Sequence, residues 1–228
     1  KNTGYEYLVL TVDVPVVSAR PREQRQGFER PFRMRPRQFL DFAVHPQWVL
    51  HTLVNGVPKP ANVVPTGNEG NKSTFTRNKI RGHIDWQFLD RLRERWAGKL
   101  ILKGVLSADD AVRIRDAGAD AVYVSNHGGR QLDAAPAAID VLPAIRQAVG
   151  ADYPLIFDSG IRSGEGIVKA LALGADFVML GRPFLYASGA DGQRGVYRLV
   201  ELLKNDLLLV LAQIGCIDVS QIDHNVLA

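Results

Sequence analysis

Two stretches of the chain share the same order of residue types, and this repeat restricts the fold more than any other sequence feature. Residues 107–128 and 163–184 align at an offset of 56 residues. Each holds a helical pattern, the tripeptide Gly-Ala-Asp, a short apolar run and a polar loop. Glycine after a helical pattern is typical of a helix C-terminus, because glycine adopts left-handed backbone conformations without steric cost. The repeat predicts a helix–strand unit that occurs at least twice.

Five apolar runs alternate with five helical patterns along the chain. Alternation of this kind predicts parallel strands joined by right-handed crossovers, and continuously apolar strands are typical of a parallel sheet covered on both faces. The predicted strands are residues 7–12, 100–102, 121–124, 155–157 and 177–180, and the predicted helices are 85–96, 108–117, 139–149, 164–173 and 195–214. Two α/β architectures remain, a doubly wound sheet or part of a (β/α)8 barrel.

Polar residues at the strand ends favour the barrel. The five predicted strands are followed in turn by Thr11 and Asp13, by Lys103, by Ser125 to His127, by Asp158, and by Gly181 and Arg182. A parallel barrel brings all carboxyl ends of its strands to one mouth, whereas a doubly wound sheet brings together only those at its switch point. Because five strands cannot close an eight-stranded barrel, about three more are expected before Lys1.

Composition excludes several other classes of protein. With 46% hydrophobic residues the chain is globular. The apolar run 207–212 is far shorter than the roughly 20 residues of a membrane-spanning helix. The basic excess lies in residues 20–37 and is interrupted by prolines rather than interleaved with aromatic residues, which disfavours a nucleic-acid partner. The lone Cys216 excludes an internal disulfide and fits a reducing cytoplasm.

Two glycine–arginine loops follow the last two predicted strands. They read Asp-Ser-Gly-Ile-Arg-Ser-Gly at 158–164 and Leu-Gly-Arg-Pro at 180–183. Glycines let backbone N–H groups approach an anion, helix N-termini favour negative charge, and the loops after strands seven and eight are the usual phosphate site of a barrel. The alternative is a pair of tight turns whose arginines reach solvent. Their occurrence on consecutive strands favours a phosphate site.

A histidine loop follows the third predicted strand, with the sequence Ser-Asn-His-Gly-Gly-Arg-Gln-Leu-Asp at 125–133. His127 before two glycines and Arg130 predicts a base beside a carboxylate clamp, with the glycines leaving room for substrate. Asp13 is placed to orient the histidine, and Lys103 to present its ammonium at the mouth, where Gly104 permits close ligand approach. Each residue also has a purely structural interpretation. Tyr123, inside a strand pattern, is assigned to the core.

These motifs together resemble the FMN-dependent α-hydroxy acid dehydrogenases and oxidases, a family that includes L-lactate dehydrogenases, mandelate dehydrogenases and glycolate oxidases. His-Pro-Gln-Trp at 45–48 and Leu-Ala-Gln-Ile-Gly-Cys at 211–216 are most similar to the mandelate and lactate dehydrogenase branch. The resemblance implies that residues 1–228 are the C-terminal portion of a single FMN-binding (β/α)8 barrel domain, with strands four to eight present.

The resemblance also implies a reaction and a role for each residue. The reaction is FMN-dependent oxidation of an (S)-2-hydroxy acid, such as L-lactate or mandelate, to the 2-oxo acid. His127 is the implied base, Asp13 its orienting partner, and Arg130 with Arg20 the carboxylate clamp. The implied FMN contacts are Thr11, Lys103 and Ser125 at the flavin ring or ribityl chain, Asp158 at the ribityl hydroxyls, and Gly160, Arg162, Gly181 and Arg182 at the phosphate. No metal site is expected.

Partners and location follow from the same resemblance. It implies a cytoplasmic homotetramer that transfers electrons to oxygen, a quinone or a cytochrome. Residues 55–82, rich in Asn, Gly and Pro, predict a mobile loop, and with residues 20–37 they give one edge of the mouth a positive rim. Such a rim steers anionic substrates, rests peripherally on the inner face of the cell membrane, or is merely solvated. The alternative function is a catalytically silent flavin- or phosphate-binding fragment with a structural role.

Overall fold

The computed structural model describes residues 4–16, 25, 36–56 and 84–227. The chain divides into two compact units, one formed by Lys1–Ser18 with His83–Ala228 and the other by Ala19–Gly82. The larger unit contains the sheet. Residues 17–24, 26–35 and 57–83 lie outside the described residues, and with them lie Arg20 and most of the predicted loop 55–82.

Five parallel strands form one sheet whose spatial order follows the chain order. A doubly wound sheet reverses its strand order at a switch point, so this order excludes that alternative for the described strands. Crossovers of one hand then place the connecting helices on one face of the sheet, as in a (β/α)8 barrel. The strands are β1 (Tyr7–Thr11), β2 (Lys99–Val105), β3 (Ala121–Val124), β4 (Leu155–Phe157) and β5 (Phe177–Val178).

Three helices of the larger unit begin at side-chain caps that the sequence contains. Asp85, Ser107 and Ser163 each accept a hydrogen bond from a backbone N–H in the first turn, which satisfies a donor that the helix itself cannot pair. The seven described α-helices are α1 (Pro36–Ala43), α2 (Pro46–Asn55), α3 (Trp86–Arg95), α4 (Ala108–Asp116), α5 (Ala138–Val149), α6 (Gly164–Ala172) and α7 (Arg182–Gln213).

The last helix differs from its prediction. It begins at Arg182, directly after the loop that follows β5, rather than at residue 195. Asp191 and Gly192 have non-helical backbone angles, so the predicted helix corresponds to the part of α7 after this break. The glycine-rich sequence before residue 195 concealed the first part, because glycine is an unfavourable residue in a helix.

The core lies between one face of the sheet and helices α3 to α6. Side chains alternate between the two faces of a strand. On the helix-facing side Leu100, Val122, Val124, Leu155 and Phe157 are fully buried. The opposite face carries Thr11, Lys103, Tyr123 and Ser125, together with exposed apolar residues at the two edge strands, namely Tyr7, Val9, Phe177 and Met179. Burial of the strands on both faces was predicted; it is found in the central strand β3, whose four residues are all buried, but not in β1 and β5, which have exposed residues.

The aspartates of the two Gly-Ala-Asp tripeptides occupy equivalent places at the amino end of the sheet. Asp120 accepts hydrogen bonds from the backbone N–H of Leu100 at 2.9 Å and from Arg93 at 3.1 Å. Asp176 accepts from the backbone N–H of Leu155 at 2.7 Å and from Arg146 at 2.6 Å. Each aspartate thus fastens the start of one strand to the preceding helix.

Within the described residues, the smaller unit contains two helices that the sequence analysis did not predict. In α1 and α2 the apolar side chains are largely exposed, including Phe39, Leu40, Trp48, Leu50 and Leu53. The rings of Phe42 and Trp48 stack at a centroid distance of 4.9 Å. Among the described residues, no helix combines the length and apolar character needed to cross a membrane.

Candidate active site

Polar side chains from four neighbouring strands meet at the carboxyl end of the sheet. Lys103 lies opposite Thr11 in the register between β1 and β2. Its Nζ donates to Ser125 Oγ at 2.8 Å and lies 3.5 Å from an oxygen of Asp158. Ser125 is fully buried. The structure therefore brings together Thr11, Lys103, Ser125 and Asp158, which the sequence had placed at separate strand ends.

His127 and Asp13 form a hydrogen-bonded pair across 114 residues of sequence. The Nδ1 atom of His127 lies 3.1 and 3.2 Å from the two carboxylate oxygens of Asp13. The carboxylate is 12% exposed and the imidazole 32% exposed. A carboxylate at Nδ1 favours the tautomer with the proton on that nitrogen, so that Nε2 is the atom that accepts a proton.

Gly104 explains how Asp13 reaches this position. Its backbone has a φ of 102°, and a Cβ atom placed on it would lie 2.5 Å from the Cβ of Asp13. Only glycine allows both the backbone conformation and this close packing. The sequence analysis predicted close approach of a ligand at Gly104; in the structure the side chain of Asp13 takes the space of the missing Cβ.

The first part of the histidine loop, residues 126–129, is held by hydrogen bonds to hydroxyl and amide oxygens. The backbone N–H groups of Asn126 and Gly128 both donate to Ser159 Oγ, at 3.2 and 3.1 Å. The N–H of His127 donates to Ser125 Oγ at 3.0 Å. His127 itself has a φ of 56°, an uncommon conformation for a residue with a side chain. The loop is therefore shaped by contacts with neighbouring strand ends.

Tyr123 belongs to the site rather than to the core alone. Its hydroxyl donates to Asp158 at 2.9 Å, and Lys103 Nζ lies 5.0 Å from the centre of its ring. Burial, reinforced by the charge and the hydrogen bond of Asp158, raises the pKa of the Tyr123 hydroxyl well above its ordinary range. The phenol thus keeps its proton and remains a donor. Its place on the same strand face as Lys103 and Ser125 was the signal that sequence analysis missed.

The two glycine–arginine loops lead into helix N-termini of different character. At α6, Ser163 Oγ accepts from the N–H of Gly166, and a carboxylate oxygen of Asp206 accepts from the N–H of Gly164 at 2.5 Å. The chain itself therefore pairs two N–H groups of that helix end, which leaves fewer of them for an anion. Helix α7, which begins at Arg182, has no side-chain cap, since its N-cap residue is Gly181. Its N-terminus is the better anion site.

Arg182 connects the second of these loops to the histidine loop. Its Nη2 donates to the carbonyl oxygen of Gly128 at 2.9 Å. A Cβ atom at position 128 would lie 2.6 Å from this nitrogen. Gly128 was predicted to leave room for substrate, but it makes room for this guanidinium group. Arg162 is exposed and donates to the carbonyl oxygen of Ile161 at 2.7 Å.

The predicted carboxylate clamp is only partly placed. Arg130 is exposed and ends the short 3-10 turn of His127–Gly129. Arg20 lies outside the described residues. The pairing of these two arginines around a substrate carboxylate stays a prediction.

Comparison with known proteins finds sequences that are similar over nearly the whole of this chain. The (S)-mandelate dehydrogenase of Pseudomonas putida is 42% identical over 228 residues, which cover 99% of this chain and 58% of that protein. The L-lactate dehydrogenase of Pseudomonas syringae pv. syringae (strain B728a) is 39% identical, with 100% of this chain and 61% of that protein covered. The chain thus spans about three fifths of the length of these relatives.

Solved structures agree with the sequence relatives. A crystal structure of monotopic membrane protein (S)-mandelate dehydrogenase superposes with a TM-score of 0.90 at 41% identity, covering 97% of this chain and 60% of that one. The family model of the FMN-dependent dehydrogenases matches residues 1–228. The chain, with its parallel sheet and its histidine–aspartate pair at the carboxyl end, therefore belongs to the FMN-dependent dehydrogenase family.

Proposed function

We propose that the protein oxidises an (S)-2-hydroxy acid, of the L-lactate or mandelate class, to the 2-oxo acid with FMN as cofactor. The observation that carries this proposal is the His127–Asp13 pair next to the Lys103–Ser125–Asp158 cluster at one end of the sheet. A base and a fixed cation in neighbouring positions match the needs of a reaction that removes a proton and two electrons from an anionic substrate.

The residues present fit FMN. Lys103, Arg162 and Arg182 supply three cations at the carboxyl ends of β2, β4 and β5, and α7 presents an uncapped N-terminus to an anion. A Cβ atom placed on Gly160 or Gly181 would meet nothing within 4 Å, so the backbone of both loops faces open space. The donor set thus suits a phosphate, with Gly160, Arg162, Gly181 and Arg182 around it and Thr11, Lys103, Ser125 and Asp158 toward the ring and ribityl chain.

The chemistry requires that two electrons and two protons leave the substrate. FMN, when bound, would accept the electron pair together with one of the two protons, which leaves one proton for a base on the protein. His127 accepts one substrate proton at Nε2, while Asp13 holds the imidazole by Nδ1 and stabilises the imidazolium that results. Arg130 and Arg20 bind the substrate carboxylate, because a guanidinium group pairs with a carboxylate in a two-pronged geometry. Lys103 places positive charge where reduction adds electron density.

Anaerobic mixing of the FMN-loaded protein with substrate tests this function. We expect (S)-mandelate or L-lactate to bleach the flavin absorbance, whereas the corresponding (R)-acids do not. A protein that binds FMN but is bleached by no 2-hydroxy acid would instead support the silent flavin-binding alternative.

The cofactor assignment has its own test. Arg182→Ala should weaken FMN binding by roughly tenfold or more, the loss of one charge-assisted hydrogen bond of about 1.5–3 kcal/mol. Arg194→Ala is the matched control, since Arg194 pairs with Asp191 beyond the helix break. Equal FMN affinity in the two variants would contradict the phosphate assignment. The expected homotetramer, the cytoplasmic location and the electron acceptor stay predictions.

A second role, peripheral binding to a membrane, is favoured by a separate observation. Helices α1 and α2 expose several large apolar side chains, among them Leu50 and Leu53. One similar structure is that of a monotopic membrane protein. Exposed apolar groups on short helices suit shallow insertion between lipid headgroups.

Co-sedimentation with anionic vesicles tests this role. We expect the protein to sediment at low salt and Leu53→Asp to weaken the binding, whereas Leu132→Asp, at an exposed leucine of the larger unit, does not. Binding that high salt abolishes would assign the contact to the basic rim rather than to the apolar helices. Equal sedimentation of both variants would contradict insertion through α2.

A further inference from the structure

Ser159 has a backbone conformation that a serine rarely adopts. Its φ is 88°, and it is one of two non-glycine residues at positive φ among the described residues, the other being His127. Residues held in such conformations persist only where surrounding contacts fix them, and they cluster at functional sites. We propose that Ser159 is a positioning residue that fixes the main chain on both sides of His127; this inference rests on the proposed function.

The hydroxyl group of Ser159 uses its full hydrogen-bonding capacity. It accepts from the N–H of Asn126 at 3.2 Å and from the N–H of Gly128 at 3.1 Å. It donates to Asp158 Oδ1 at 2.8 Å. A hydroxyl offers one donor and two acceptor lone pairs, so these three bonds satisfy it completely. The two amides that it holds are those immediately before and after His127.

The choice of residue at position 159 is therefore a compromise between backbone and hydrogen bonding. Glycine would adopt the positive φ without strain but would leave both amides without this acceptor. Alanine would keep the strain and lose the acceptor. Threonine would keep the hydroxyl, but its branched Cβ makes positive φ still less favourable. Serine is the smallest side chain that supplies the hydroxyl.

The contacts of Ser159 should determine the orientation of the His127 imidazole. His127 contacts Asp13 from a backbone that is itself at positive φ. Without Ser159, its flanking amides lose their anchor to β4, and the imidazole samples orientations away from the substrate. Because the Ser159 hydroxyl bonds to the main chain on both sides of His127, we expect it to act through the histidine loop. A purely structural role predicts the opposite for Ser159→Gly, namely relief of strain with unchanged catalysis.

The test compares Ser159→Gly and Ser159→Ala with Ser107→Gly in the FMN-loaded protein. Ser107 caps α4 by accepting from the N–H of Asp110, so the control also removes one serine hydroxyl from a backbone donor. In both Ser159 variants we expect flavin reduction at saturating 2-hydroxy acid to slow by roughly ten- to hundredfold, with little change in the half-saturating concentration. The control should reduce FMN at the parent rate. A parent-like rate in both Ser159 variants would overturn the proposal.

Amide hydrogen exchange gives a readout that does not depend on catalysis. Exchange at Asn126 and Gly128 should be faster in both Ser159 variants than in the parent and in Ser107→Gly. Unchanged exchange at these amides would overturn the positioning role even if the enzyme is active. Conversely, a parent protein that no 2-hydroxy acid reduces would refute the proposed function, while faster exchange would still support the link between Ser159 and the histidine loop.

Discussion

The two ends of the sheet place similar residues in different surroundings. At the amino end, Asp120 and Asp176 each bind a backbone N–H of a strand and an arginine of the preceding helix. At the carboxyl end, the carboxylates of Asp13 and Asp158 bind side chains that carry exchangeable protons or charge, namely His127, Tyr123, Ser159 and Lys103. The first arrangement fastens the main chain, whereas the second arranges groups for chemistry.

The two ends of the sheet also differ in which residue types adopt a positive φ. Both non-glycine residues at positive φ among the described residues, His127 and Ser159, lie in loops at the carboxyl end. At the amino end, the left-handed positions before the two aspartates are taken by Gly118 and Gly174. Within the part of the chain that the structure describes, unfavourable backbone conformations thus occur at the candidate site and not at the amino end. Aspartate–cation pairs occur at both ends, so such a pair indicates function only where the residues around it are strained or titratable as well.

Substitution of the proposed base His127 should give the largest effect, and it is the strongest test of the functional difference between the two ends of the sheet. His127→Gln removes the proton acceptor, and we expect flavin reduction by substrate to slow by at least ~100-fold, measured by anaerobic stopped-flow absorbance. Thermal stability and FMN affinity should change little. Near-parent reduction in this variant would remove the functional distinction between the two ends.

Gly104→Ala should show how the main chain supports the pair. The new Cβ atom would lie 2.5 Å from the Cβ of Asp13, so the aspartate must move away from His127. We expect reduction to slow by about tenfold or more, because small displacements of catalytic groups have large effects. Gly150→Ala is the matched control, since Gly150 has a φ of 89° with nothing within 4 Å of an added Cβ.

Gly104→Ala and Gly150→Ala should lose stability for the same reason, but they should differ in activity. Both place alanine at positive φ and should lose about 1–2 kcal/mol of stability. Only Gly104→Ala should lose activity. Equal reduction rates for the two variants would show that Asp13 tolerates displacement.

Asp176→Ala should affect stability and leave the site intact. The fully buried Leu155 would lose the acceptor of its N–H, which costs about 1–3 kcal/mol. We expect a lower free energy of unfolding in urea with an unchanged rate of flavin reduction per bound FMN. Asp152→Ala, at an exposed turn residue, is the control. A loss of activity without a loss of stability would contradict the assignment of the amino end.

The smallest expected effect is the pH dependence contributed by Asp120. Burial acts to raise its pKa, but hydrogen bonds from Lys99, from the N–H of Leu100 and from Arg93 together hold the pKa below the ordinary 3.8. A carboxyl whose pKa is lower in the folded state stabilises the fold above its unfolded pKa. This contribution is lost as the pH falls from about 4 through the lower folded value.

Urea unfolding at pH 6 and at pH 3 measures this contribution. We expect Asp120→Asn to be less stable than the parent at pH 6 and the difference to shrink toward pH 3. A difference that stays constant would assign the role of Asp120 to hydrogen-bond geometry rather than to charge.

Much of the fold was predictable because it depends on local patterns. Apolar runs identified all five described strands, and the helices predicted to begin at residues 108 and 164 begin there in the structure. The beginning of α7 was missed because Gly189 and Gly192 interrupt its helical pattern. Helices α1 and α2 do contain apolar residues at helical spacing, but they lie in the long stretch between the first two strands that was interpreted as loop. The strand limits differ by up to three residues at β2 and β5.

By itself, the sequence determined which residue types follow each strand, because each apolar run and the polar residues after it are contiguous in the chain. Only the tertiary structure decided which of these residues meet. In the folded chain His127 contacts Asp13, which is 114 residues away, and Asp13 fills the space beside Gly104. Asp206 accepts a hydrogen bond from the N-terminus of α6, and Tyr123 donates one to Asp158. The physical reason is that periodicity and caps are set by neighbours within a few residues. A hydrogen bond between loops depends instead on distances that the packing of the whole sheet fixes.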